Sequence, residues 1–103
     1  MSTPVGPYSP TMRAGALIFT AGQVGIRDGA LVDGGLTAEL PQAMENLRRV
    51  LADAGVGLDD VVKTTVFLTT MDDYAAMNEL YLAAFGDHRP ARSAVAVAAL
   101  PLG

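Results

Sequence analysis

The sequence predicts a small α/β domain, with one sheet and two helices packed on one of its faces. Three observations lead there. The chain has 103 residues, which fits one domain. Two stretches repeat apolar residues at helical spacing. Short runs rich in Val, Thr and Ile alternate with them, giving strand, helix, strand, helix, strand.

The elements follow in order. Pro4, Gly6, Pro7 and Pro10 favour extended or turn geometry over helix. Gly15 marks a turn, and Ala16 to Ala21 (ALIFTA) reads as a strand, with a short hairpin in front of the main fold. Gly22 to Gly35 reads as a loop, with a short strand at Ala30 to Val32. Leu40, Ala43, Met44, Leu47, Val50, Leu51 and Ala54 then step by three and four along one helix face. Thr37 suits its N-cap and Gly55 its C′ position, and Pro41 is tolerated near the start. Glu45–Arg49 and Arg49–Asp53 are spaced as i,i+4 pairs on its wet face.

Val61 to Thr69 (VVKTTVFLT) reads as the middle strand, with Val62, Val66 and Leu68 on one face and Lys63, Thr65 and Phe67 on the other. Thr70 caps a second helix, whose stripe runs Tyr74, Met77, Tyr81, Ala84 and Phe85 before Gly86 ends it. Arg92 to Leu100 (RSAVAVAAL) is the last strand. Here Val95 and Val97 are expected to face the helices, with Arg92, Ala94, Ala96 and Ala98 on the uncovered face. Covering that face by a second copy is the simple solution.

Composition narrows the function. Net charge is −4 and the pI is about 4.6, and the seven cations form no run longer than two. A partner that carries phosphates along its length is therefore not expected. Charged residues are 17% of the chain, below the roughly 25% usual for soluble domains, which suits a surface partly covered by another subunit. There is no cysteine, which excludes thiolate chemistry and Cys-ligated zinc. No secretory leader and no membrane-length apolar run is read, so a soluble, cytoplasmic protein is expected.

Few residues could carry chemistry. His88 is the single histidine, without the second ligand of a metal site or the neighbours of a catalytic triad, and reads as a solvated loop residue. No phosphate-binding glycine loop is present. Asp59–Asp60 and Asp72–Asp73 sit at element starts, where capping explains them. Asn78 lies on an apolar stripe and needs a partner: either a structural bond to loop backbone or a pocket role. Arg92 opens a strand among small residues. Its planar fork suits either a carboxylate ligand or a salt bridge. Tyr8 is a rigidly placed aromatic between Pro7 and Pro10, suited to packing or to a pocket wall.

Together these segments resemble the Rid (reactive intermediate deaminase, or YjgF) family. The residues that carry the resemblance are Gly6-Pro7-Tyr8-Ser9, Leu17 to Gln23, Gln42 with Asn46 and Leu47, Asp60 to Phe67, Asn78 with Tyr81, and Pro90-Ala91-Arg92-Ser93 followed by Leu100-Pro101. They span nearly the whole chain in order. The resemblance implies a chorismate-mutase-like α+β single domain over residues 1–103, with a mixed β-sheet and two helices on one face, assembled as a homotrimer. It implies hydrolytic deamination of 2-imino acids such as 2-iminobutanoate and 2-iminopropanoate, without cofactor or metal. Under it Arg92 binds the substrate carboxylate, the backbones of Gly22 and Ala94 line the pocket, Tyr8 closes it across the interface, and Asn78 lies near it.

Three departures stand out. Ala94 occupies a position often held by cysteine, and Ala21 one held by a pocket serine. The family continues past Leu100-Pro101 into a strand ending near a glutamate that handles the water, so residues 1–103 are read as lacking that strand. A carboxylate-sensing module without turnover and an endoribonuclease are the alternative readings.

Overall fold

The computed structural model describes residues 6–101; the turn geometry expected at Pro4 lies outside them. The domain is α+β, with two helices and three two-stranded ladders among the described residues. Strands β1 (Thr11–Ala14) and β2 (Leu17–Thr20) form the expected antiparallel hairpin, turning at Gly15 with φ 60°. The stretch read as a loop holds a second hairpin of β3 (Ile26–Arg27) and β4 (Ala30–Leu31). Its turn is Asp28-Gly29, both at positive φ, which is the local chemistry a two-residue hairpin turn demands.

Helix α1 runs Leu36–Asp53. Gly35, at φ 65°, takes the N-cap position rather than Thr37. Thr37 sits inside the first turn and donates its hydroxyl back to the Gly34 carbonyl at 3.2 Å. The C-terminus follows the sequence: Gly55 (φ 84°) donates to the Ala52 carbonyl, and Val56 to that of Leu51, a Schellman closure. The expected i,i+4 pairs are replaced. Arg48 forms an ion pair with Glu45 one turn back, holding the Glu45 carboxyl below its usual range. Arg49 donates instead to the side-chain Oδ1 of Asn46.

Strand β5 (Lys63–Leu68), helix α2 (Tyr74–Phe85) and strand β6 (Ala91–Ala96) make one parallel βαβ unit. Both strands are shorter than their apolar runs. Val61 is held by a 3-10 turn at Leu58–Asp60, and β6 loses its partner once Val97 has bonded Leu68. Thr70 caps a 3-10 turn at Met71–Asp73 that leads straight into α2. The two crossings expected of a single sheet are thus one crossing and two separate hairpins. Apolar alternation marks a strand but does not specify its neighbour.

The core is built on Leu68 of β5 and Met77, Tyr81 and Phe85 of α2. Leu36, Leu40 and Met44 of α1 pack against it, so both helices share one side of β5–β6. Met77 is fully buried. The register pairs Thr64 with Arg92 and Val66 with Ala94, and Val66 and Ala94 pack on the core. This corrects the expected facing of the last strand. Arg92 and Ala94 lie on the helix side, while Val95 (42% exposed) and Phe67 (52%) lie on the open side. Alanines pack under a helix as readily as valines do, so counting bulk assigned the face wrongly.

Candidate functional site

Arg92 is positioned by three features of the fold. It sits opposite Thr64 in the β5–β6 register. The helix α2 stripe places Tyr74, Met77 and Tyr81 at spacings of three and four, on the face that covers the sheet. The small Ala94 follows on the same side of β6. The guanidinium carbon lies 4.9 Å from the Tyr81 ring centroid and 5.6 Å from that of Tyr74. Nη2 donates to the Tyr74 hydroxyl at 3.1 Å, and Nη1 to the Met77 sulfur at 3.6 Å. Rings and sulfur accept the flat cation without neutralising it. Among the described residues the one ion pair is Glu45–Arg48, so Arg92 has no carboxylate partner there.

Tyr81 is itself fixed. It packs on Phe85 at 4.7 Å, and its hydroxyl shares a 2.7 Å hydrogen bond with the Thr64 hydroxyl. The aromatic wall of Arg92 is therefore tied to both flanking elements. Tyr74, Met77 and Tyr81 are legible in the sequence as a core stripe, but not as the surroundings of the arginine. The signal was the shared parity of Thr64 and Arg92, which only the strand register reveals.

Asn78 carries the one buried side-chain polar atom without a partner among the described residues, its Oδ1. The bond to loop backbone expected of it is made instead by Asn46. That residue is buried in α1 and donates from Nδ2 to the carbonyls of Val24 at 3.0 Å and Ile26 at 2.9 Å. Gln42 donates to its Oδ1 at 3.0 Å. Gly25 lies between the two bonded carbonyls, and a Cβ there would meet the Glu39 backbone at 2.7 Å. The loop after Gly22 is thus clamped on α1.

Tyr8 is 47% exposed, and its ring folds back over Gly6. No hydrogen bond to its hydroxyl is found among the described residues, and within one chain it is not brought to Arg92. Gly22 is exposed, with open space where a Cβ would stand. His88 is not a solvated loop residue: its Nε2 donates to the Val61 carbonyl at 2.6 Å, fixing the approach to β6. Among the described residues no three His, Asp or Glu side chains cluster to hold a metal, and no helix is long and apolar enough to cross a membrane. A broad depression of about 610 Å³ lies at the β3–β4 turn and the start of α1, lined by Arg27, Asp33 and Gln42 among others. Arg92 is not part of it.

The chain is similar to known proteins over most of its length. A family model described as Endoribonuclease L-PSP matches residues 1–103. The 2-iminobutanoate/2-iminopropanoate deaminase of Mus musculus is 45% identical over 101 residues, covering 96% of this chain and 75% of that protein. A Schizosaccharomyces pombe protein named mmf2, mitochondrial, is 43% identical over 97 residues, covering 94% and 77%. The crystal structure of RidA from the Antarctic bacterium Psychrobacter sp. superposes with a TM-score of 0.93 at 39% identity, covering 98% of this chain and 83% of that one. On the family model and these relatives, the chain belongs to the Rid (YjgF) family.

Proposed function

We propose that the protein hydrolyses small 2-imino acids to 2-oxo acids and ammonia, with Arg92 holding the substrate carboxylate. The observation that carries this is the Arg92 guanidinium, seated on Tyr81 and Tyr74 with no carboxylate beside it among the described residues. A fixed cation in that state suits an incoming anion. Two relatives named for the same activity support the reaction. Water adds to the imine carbon, the C–N bond breaks, and ammonia leaves. The imine carbon is already electrophilic, so positioning and polarisation supply the acceleration.

Under this reading the backbones of Gly22 and Ala94 line the pocket, and the buried, unpartnered Asn78 Oδ1 accepts a hydrogen bond within it. Tyr8 comes from a neighbouring copy, which a homotrimer would supply. Support for self-association is the open face of β5–β6, where Phe67 and Val95 stand exposed around Lys63, Thr65 and Ser93. No cofactor or metal enters the scheme, and nucleic acid and membrane are not its partners. The compartment is proposed as the cytoplasm; with the mmf2 and mmf1 relatives named mitochondrial, fractionation of the source cells tests it.

A carboxylate-binding module without turnover is the second reading. It is favoured by Ala21 and Ala94 at positions where the family often has serine and cysteine. A coupled assay separates the two readings, with 2-iminobutanoate generated in situ and its loss followed with and without the protein. Faster loss, abolished in Arg92→Ala, supports the deaminase. Saturable 2-oxobutanoate binding with no acceleration supports the module, and RNA cleavage that vanishes in a site variant would replace both.

A further inference from the structure

We propose that Tyr74 is a specificity-determining residue of the Arg92 site, selecting carboxylates that carry a second hydrogen-bond acceptor, an imine nitrogen or an oxo oxygen, on the adjacent carbon. The inference rests on the reading of Arg92 as an anion site. Arginine has no acceptor atom, so in the 3.1 Å bond between Arg92 Nη2 and Tyr74 Oη the hydroxyl oxygen accepts. The hydroxyl hydrogen then points elsewhere, and no partner takes it among the described residues. Accepting from a cation strengthens that hydrogen as a donor.

The neighbouring groups cannot do the same. The Tyr81 hydroxyl already shares a 2.7 Å hydrogen bond with Thr64, in which either oxygen can donate, and it belongs to a buried side chain of the core, while the Met77 sulfur carries no hydrogen. Tyr74 is 39% exposed, so its hydroxyl can be reached by a ligand that arrives from solvent. Such a ligand meets two donors side by side, the guanidinium N–H groups and the Tyr74 O–H. A planar 2-oxo carboxylate presents two neighbouring oxygens that answer both. A plain carboxylate answers the guanidinium alone.

The test is calorimetric titration with 2-oxobutanoate and with butanoate, on wild type, Tyr74→Phe and Arg92→Ala. Phenylalanine keeps the ring over the guanidinium and removes only the hydroxyl. Wild type is expected to favour 2-oxobutanoate by about tenfold, and Tyr74→Phe to bind the two alike while keeping its affinity for butanoate. A Tyr74→Phe variant that retains the wild-type preference, with Arg92→Ala losing both ligands, overturns the role of Tyr74 and leaves the anion site standing. Failure of wild type to bind either ligand, or full binding by Arg92→Ala, overturns the anion site and the Tyr74 role with it.

Discussion

The guanidinium of Arg92 lies 4.9 Å from the ring of Tyr81, and the hydroxyl of that ring bonds Thr64, the residue opposite Arg92 in the β5–β6 register. One tyrosine thus carries the cation on its face and locks its own position through its edge. The arrangement fixes the arginine without neutralising it, which is the property an anion site requires.

Tyr81→Phe separates these two roles. It keeps the ring and removes the Thr64 bond, leaving that hydroxyl without its partner. A stability loss of about 1 kcal/mol is expected in urea unfolding, with 2-oxo acid binding changed by no more than a few-fold. Tyr81→Ala removes a buried aromatic from the core cluster and should lose about 3–5 kcal/mol.

Asn46→Ala should open the loop after β2. The substitution strips two hydrogen bonds from the Val24 and Ile26 carbonyls and is expected to lower stability by about 2–3 kcal/mol, since both carbonyls lose a buried donor. Hydrogen exchange at residues 22–26 should accelerate more than in β5. Uniform acceleration across the domain would count against a local clamp.

Gly25→Ala strains the same contact from the other side. The added methyl would stand 2.7 Å from the Glu39 α-carbon and carbonyl oxygen, both backbone atoms of α1. A loss of about 1–3 kcal/mol is expected on thermal or urea unfolding. An unchanged midpoint would mean that the loop shifts off the helix at no cost.

Asn78→Leu distinguishes an orphan from a ligand acceptor. The Oδ1 atom is buried and unpartnered among the described residues. Its removal should leave stability level or raise it by up to about 1 kcal/mol, while 2-oxo acid affinity falls if the oxygen serves the pocket. Unchanged affinity would remove Asn78 from the site.

Much of this was legible in the chain, for physical reasons that differ by element. The Schellman closure at Gly55 and the α2 stripe are local, set by residues within two turns of each other. Asp28-Gly29 is equally local, yet inside a glycine-rich stretch only its second strand, β4, is expected, and the pairing with β3 is not. The pairing of β5 with β6 is not local. Without it the facing of Arg92 rests on the size of its neighbours, and the three alanines Ala94, Ala96 and Ala98 point to the wrong face. Arg92 was identified by its chemistry, but Tyr74 and Tyr81 could not be assigned to it until Thr64 and Arg92 were seen opposite each other. Asn46 was visible only as a residue of the family resemblance, because nothing on α1 announces that two loop carbonyls wait above it.

The proposed function turns on Arg92 holding a carboxylate through the planar fork of its guanidinium. Calorimetric titration of wild type and Arg92→Lys with 2-oxobutanoate tests it most directly, because lysine keeps the charge and loses the fork. The expected result is saturable binding by wild type, weakened at least about tenfold in Arg92→Lys with the unfolding midpoint retained. Equal affinity in the two proteins would contradict the claim.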